Sequence, residues 1–281
     1  MGYNLKEMNC KICNHTSIPI FQAKVLNKYD VNYYQCTNCK FIQTDKPFWL
    51  KEAYQSAITA LDIGLISRNI YLQKEVSSIL DVCFQNANVM LDYGGGYGMF
   101  VRMMRDLGYN FYRQDIYCEN LFANYFDFVD CPVKKVDILT TFEVFEHLEN
   151  PIEEIEKMFH LSDTIIFSTV LIPPDINKFG NWWYVSPLIG QHIAFYDLIT
   201  LKYLANKFGK NLYSNENNLH LLSSKTLTPE IVKKAFGLNK KTIVQKIANA
   251  VLNKITPVKL KQSLLQKDYQ FIENQLLKKN N

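Results

Sequence analysis

The segment Val89-Met90-Leu91-Asp92-Tyr93-Gly94-Gly95-Gly96-Tyr97-Gly98 constrains the fold of this chain more than any other. Its first half is an apolar run ending in an acid, which reads as a buried strand. Its second half is a glycine-rich turn, and a helical pattern follows over Phe100 to Leu107. Glycine has no Cβ and tolerates positive φ, so such a turn lets backbone approach a ligand closely. The spacing is G-x-G-x-G at Gly94, Gly96 and Gly98. It is neither the longer G-x-G-x-x-G of nicotinamide enzymes nor a phosphate loop, which would continue into Lys-Ser/Thr.

The continuation gives the turn its meaning. About twenty residues on, the spacing predicts a second strand over Asn110 to Ile116, with Asp115 near its end. An acid at that place is the usual partner of a ribose diol. A further strand, Val136 to Phe142, runs into Glu143-Val144-Phe145-Glu146-His147, an E-x-x-E-H spacing.

These blocks resemble the class I S-adenosylmethionine-dependent methyltransferases. The likeness rests on LDYGGGYG, the acid after the second strand, and FEVFEHL followed by Asn-Pro, and it covers residues 85 to 225. It implies an α/β chain: a Rossmann-like seven-stranded methyltransferase sheet with a small N-terminal zinc-binding lobe and a C-terminal basic helical tail. The expected units are a zinc lobe at 1–48, a helical cap at 49–85, the S-adenosylmethionine-binding core at 86–225 and the tail at 226–281. The resemblance also implies cofactor contacts at Asp92, Gly94, Gly96, Gly98, Asp115, Thr141 and Phe142. Asp127 is a candidate for the adenine side.

Four cysteines near the start, Cys10, Cys13, Cys36 and Cys39, form C-x2-C-x22-C-x2-C. Two knuckles of equal inner spacing fit tetrahedral thiolate zinc. Two disulfides are the alternative, and they need an oxidising compartment. The N-terminus has no apolar h-region, so a cytoplasmic protein with structural zinc is expected.

Hydrophobic residues make up 48% of the 281, enough for a packed core. The longest apolar run, Ile165 to Ile172, is broken by Ser168 and Thr169, so no membrane span is expected. Charge is split: from Lys225 onward twelve lysines face three acids, against nineteen basic and twenty-four acidic residues before it. Apolar residues Ile243, Val244, Ile247, Val251, Leu252 and Ile255 recur at helical spacing among those lysines. Such a tail can lie on an anionic membrane surface, pack on the core, or join a second subunit.

A helical pattern is further expected between Pro47 and Gln85, with apolar residues at Leu72, Val76, Ile79, Leu80 and Phe84, and helices over Ile152 to Phe159 and Asp197 to Phe208, the last with Asp197 as N-cap. A fifth strand is expected over Thr164 to Thr169, and two strands around the Asn-rich turn at 211–223.

In an open α/β sheet, chemistry sits at the carboxyl ends of the central strands. After the fourth strand stand Glu143, Glu146 and His147. On a helix Glu143 and His147 would share a face. The E-x-x-E-H spacing is similar to magnesium-dependent members of the superfamily, though it also occurs where no metal binds. After the fifth strand comes Asn181 to Tyr196, with two tryptophans, three further aromatic rings and His192. His192 can take a hydroxyl proton near neutral pH. Glu143, His147 and Tyr184 complete the candidate catalytic set.

The order of zinc lobe, cap helices, core and a G-Q-H-x-x-F-Y segment also resembles bacterial sugar and surface-polysaccharide methyltransferases. That resemblance implies O-methylation of a sugar, sugar-nucleotide or glycan acceptor. Carbon methylation of a nucleotide-linked keto-sugar is one alternative, and an rRNA methyltransferase with a zinc lobe is another. The acidic body argues against a nucleic-acid partner.

Overall fold

The computed structural model describes residues 8–55, 61–238 and 261–279. A six-stranded sheet forms the centre. Its parallel part comprises β5 (Met90–Tyr93), β6 (Phe111–Gln114), β7 (Ile138–Phe142) and β8 (Thr164–Ser168). The hairpin β10 (Asn211–Ser214) and β11 (Leu219–Ser223) adds two antiparallel strands, giving the order β10-β11-β8-β7-β5-β6. Along the central strands neighbouring residues sort to opposite faces. Met90, Ile138, Ile166 and Leu221 join one core cluster, and Leu91, Leu139, Ile165 and Leu222 join the other.

Helices cover both faces. On the first lie α2 (Leu65–Cys83) and α3 (Met99–Asp106), with α6 (Pro229–Ala235) packed on α2. The buried positions of α2, Leu72, Val76, Ile79, Leu80 and Cys83, trace one helical stripe. On the second face lie α4 (Pro151–Leu161) and α5 (Leu198–Lys207). Pro151 occupies the first turn of α4, where a missing N–H costs nothing. Asp197 caps α5 by accepting the Ile199 N–H at 2.6 Å.

A seventh strand beyond β6 is not formed among the described residues. One isolated parallel bridge, Arg113 to Asp127, stands there instead. The chain between Asp115 and Val136 is held by side-chain bonds and a short 3-10 turn at Phe128–Asp130, so it presents no run of backbone to pair.

Residues 8–44, joined by one later strand, build a second, five-stranded antiparallel sheet. It comprises β1 (Met8–Asn9), β2 (Thr16–Val25), β3 (Tyr29–Cys36), β4 (Ile42–Thr44) and β9 (Ala194–Phe195). Its last strand therefore comes from the loop after β8. Trp49, beside the one-turn α1 (Leu50–Ala53), packs with Tyr184, Val185 and Phe195 in a third core cluster.

Of the expected tail helix, residues 239–260 lie outside the described residues. Helix α7 (Leu265–Lys279) follows. Asp268 of α7 is buried against Arg105 and Arg102 of α3. No helix of the described residues is long and apolar enough to cross a membrane.

Candidate active site

The glycine turn after β5 leaves the sheet with positive φ at Gly94, Gly96 and Gly98. At Gly94 a Cβ would come within 2.6 Å of Val144, so no other residue fits without displacement. At Gly96 a Cβ would meet nothing within 4 Å, because that face of the loop is open to the cavity. Asp115 reaches across from the end of β6. Its Oδ2 accepts the Gly96 N–H at 2.9 Å, and its Oδ1 accepts the Tyr117 and Cys118 N–H groups at 2.7 and 2.8 Å.

Arg113, buried beneath the turn, holds the carbonyl of the same residue, Gly96. Its Nε donates to the Gly96 carbonyl at 2.5 Å, Nη1 to Asp127 at 2.7 Å, and Nη2 to the Cys118 carbonyl. Asp127 also accepts from Asn120 at 2.9 Å. Asp127 thus anchors Arg113 and is not among the residues lining the cavity, which corrects its candidacy on the adenine side. Asp92 is buried with the Thr140 hydroxyl 2.7 Å away, and burial pushes its carboxyl up to about 7.

These groups line a cavity of about 960 Å³. Asp92, Gly94, Gly96, Asp115, Phe142, Glu143, His147, Tyr184 and His192 all reach its wall. Gly98 and Thr141 stand behind it. Gly98 begins α3 against Asn120 and Ala123, and Thr141 is fully buried with its hydroxyl unpaired.

The E-x-x-E-H segment does not form the helix on which Glu143 and His147 would share a face. Glu143 has φ 54°, and only Phe145–His147 makes a single 3-10 turn. Glu143 is turned toward β8, where it accepts the Ser168 hydroxyl at 2.7 Å. It therefore does not share a face with His147. The cluster that does form is Glu146, His147 and His192, whose ligand atoms lie within 4.8 Å of one another. Each imidazole is oriented by a backbone carbonyl: His147 Nδ1 lies 3.0 Å from Gln191 O, and His192 Nδ1 lies 2.5 Å from Tyr184 O. A carbonyl only accepts, so each Nδ1 carries the proton and each Nε2 keeps its lone pair. Burial holds His147 down to about 3 and His192 down to about 4, so both are neutral at pH 7. Glu146 is fully buried and neither carboxyl oxygen has a hydrogen-bond partner. Burial, with Glu143 nearby, raises its pKa well above the carboxylate range.

Tyr184 is also buried, and its hydroxyl lacks a partner in hydrogen-bonding geometry. Burial and the carboxyls of Glu143 and Glu146 push its pKa far up, so it remains a phenol. Its ring packs 4.7 Å from His192 and its carbonyl fixes that imidazole. Sequence reasoning missed Arg113 and Arg68. Arg68 lies on the cavity wall, paired with Asp62 at 2.8 and 3.0 Å. Nothing in the spacing marks either arginine.

The N-terminal cysteines converge on one point. Cys10 and Cys39 sulfurs are 3.6 Å apart, and Cys13 and Cys36 sulfurs 3.3 Å. A tetrahedron with Zn–S bonds of about 2.3 Å has edges of about 3.8 Å. The Ile12 and Cys39 N–H groups point at Cys10 and Cys36 sulfur, both at 3.4 Å, which stabilises thiolates.

The family model described as "Methyltransferase domain" matches residues 68–215, more than half of the chain. The chain belongs to this methyltransferase family. It is an S-adenosylmethionine-dependent enzyme. The open face at Gly96 and the Asp115 carboxylate beside it fit that cofactor's nucleoside. No curated protein matches the methyltransferase in sequence. Among solved structures it is similar to a mitomycin 7-O-methyltransferase, with 13% identity, a TM-score of 0.42, and 62% of this chain and 59% of that one covered. It is also similar to a plantazolicin methyltransferase bound to SAH, at 12% identity, TM-score 0.41 and coverages of 64% and 95%. A third is the Haloferax volcanii complex of the Trm112 activator with a putative methyltransferase, at 14% identity, TM-score 0.44 and coverages of 65% and 98%. At these scores the likenesses carry no argument about the acceptor.

Proposed function

We propose that this methyltransferase transfers a methyl group to a hydroxyl of a sugar, sugar-nucleotide or glycan in surface-polysaccharide biosynthesis, in the cytosol. The observation that carries the chemistry is the neutral, carbonyl-anchored His192 on the cavity wall beyond the glycine turn. S-adenosylmethionine, when bound, would supply an activated methyl group on a cationic sulfur. Asp115 would hold the ribose hydroxyls, and Gly94 and Gly96 would let the backbone come close. His192 Nε2 would take the proton of the acceptor hydroxyl as that oxygen is methylated. General-base help of this kind contributes roughly 10²- to 10⁴-fold. The aromatic wall excludes water from the transfer.

A second reading rests on a separate observation. The Glu146 carboxyl, with neither oxygen hydrogen-bonded, and one ring nitrogen each of His147 and His192 form a two-His-one-carboxylate set. Two imidazole nitrogens and one carboxylate suit a divalent transition metal such as manganese better than magnesium, which prefers oxygen ligands, and a cation held there would lower the pKa of an acceptor hydroxyl bound to it. In the N-terminal lobe, Cys10, Cys13, Cys36 and Cys39 would hold a structural zinc ion.

Calorimetry and turnover on His192→Ala separate the readings. The base reading expects unchanged cofactor affinity, turnover down at least 100-fold, and no response to chelators. The cation reading expects turnover abolished by chelators in wild type and restored by magnesium or manganese. Wild-type turnover in His192→Ala removes both.

A further inference from the structure

The C-terminal helix α7 reaches the cofactor turn through a continuous run of contacts. Phe271 of α7 packs on Tyr125 and Phe126, with ring centroids 6.4 and 6.1 Å apart. The buried Asp268 carboxylate of the same helix holds Arg105, whose guanidinium lies 3.6 Å over the centre of the Phe126 ring. The Phe126 carbonyl accepts the Arg113 N–H at 2.8 Å, and the next residue, Asp127, takes the Arg113 guanidinium. Arg113 ends the run on the Gly96 carbonyl. The Leu121 and Phe122 N–H groups add two bonds to the Tyr97 carbonyl of the turn, at 3.1 and 3.0 Å. Helix α3, which carries Arg102 and Arg105 to Asp268, itself begins straight after Gly98.

We propose that Asp268 and Phe271 are positioning residues for the cofactor. By bracing residues 120–127, α7 holds Arg113 on the Gly96 carbonyl and keeps the turn in the shape that receives the nucleoside. The proposal rests on the reading of the cavity as the cofactor site. The braced stretch has little else to fix it. It pairs with β6 through the single Arg113–Asp127 bridge. Tyr125 sits at φ 68°, a left-handed conformation that a bulky side chain adopts at a cost and that persists only when its surroundings over-determine it. The α7 contacts fall on that residue and its neighbour. Coupling between two sites is reciprocal, so cofactor in the cavity holds α7 down by the same factor that α7 tightens the cofactor. Lifting α7 from α3 would therefore release cofactor without any change in the cavity wall itself.

The test is calorimetric titration of the full chain with S-adenosylhomocysteine. Phe271→Ala truncates a side chain that is 42% exposed and leaves the Asp268 clamp in place. It should weaken binding about fivefold, and Asp268→Ala about tenfold or more, the range of ordinary coupling between sites. Phe271→Tyr should keep wild-type affinity. Hydrogen exchange gives a readout that general stability would not move. In wild type the ligand should slow exchange of the α7 amides. Phe271→Ala should speed exchange at residues 96–98 and 120–127 while β7 and β8 keep their wild-type rates. Should Asp268→Ala fail to fold, Phe271→Ala and the wild-type exchange decide. Wild-type affinity in Phe271→Ala overturns the proposal, and so does α7 exchange that the ligand leaves unchanged. Faster exchange throughout the sheet in Phe271→Ala overturns it as well, because α7 would then be a general support. Absent heat in wild type defeats the cofactor-site reading, whereas wild-type heat with unaffected variants defeats the bracing alone.

Discussion

Replacing Asp268 by alanine tests how the C-terminal helix is held. Its Oδ1 accepts Arg105 Nη2 at 2.8 Å, and its Oδ2 accepts Arg105 Nε at 2.8 Å and Arg102 Nη2 at 3.0 Å. The Arg105 and Asp268 side chains are 5% and 4% exposed. Arg105 has further partners in Asn110 Oδ1 at 2.7 Å and the Phe111 carbonyl at 2.9 Å. Removing the carboxylate while α7 stays docked strands a buried guanidinium, at a cost of about 3–5 kcal/mol. Undocking of α7 would let Arg105 hydrate, so the docking energy of α7 caps the loss. That energy comes from the ion pair, the edge of Phe271 against Tyr125 and Phe126, and the Leu264 N–H to the Arg105 carbonyl. A loss of about 3 kcal/mol in urea unfolding is therefore expected. The paired change Arg105→Met/Asp268→Leu should recover most of it, because an apolar pair leaves no buried charge. A loss under about 1 kcal/mol, the range of an exposed ion pair, would refute the buried clamp. A double variant less stable than Asp268→Ala would refute the charge argument.

Other expectations follow from the same geometry. Burial holds His220 down to about 4, between the Ser214 hydroxyl and the Thr169 carbonyl. The unfolded chain then binds more protons between pH 6.5 and 4, so its contribution is whole above 6.5 and falls as pH drops through that window, by about 3 kcal/mol; a His220→Gln variant with the same pH slope in thermal melts would contradict it. Asp115→Ala should weaken cofactor binding by about 2 kcal/mol, roughly thirtyfold, through lost charged hydrogen bonds, and calorimetry showing an unchanged Kd would remove that role. Arg113→Met should weaken binding as well, because the Gly96 and Cys118 carbonyls lose their donor; tight binding in this variant would show that the turn holds itself. Cys36→Ser should lower both bound zinc, by elemental analysis, and melting temperature, whereas metal-free wild type would end the zinc assignment.

The glycine turn and Asp115 were legible because each rests on local rules: a strand ending, φ beyond the reach of side chains, and an acid at the next strand end. The Asp197 cap and the hairpin at 211–223 were legible for the same reason. The missing outer strand was not, because Arg113 and Asn120 tie that stretch to Asp127 through side chains that no periodicity reports. The E-x-x-E-H spacing suggested a shared helical face, but Phe145 is buried between Phe167 and Tyr196, and that packing breaks the segment into a single turn. Glu146 rather than Glu143 then faces the two histidines. His147 and His192 stand forty-five positions apart in number, and only the pairing of strands far apart in the chain brings them within 5.0 Å between ring centres.

Two-residue strand β9 sets a limit on transplanting this enzyme. Ala194 aligns with Gln43, the Thr44 amide bonds to Ile193 O at 3.2 Å, and the Ile193 amide bonds to Glu146 O at 2.9 Å. The Thr200 hydroxyl ties α5 to Cys39 O at 2.7 Å. An engineer moving the methyltransferase core to a new scaffold would have to carry the cysteine-bearing lobe along, since the strand next to His192 has its mate there.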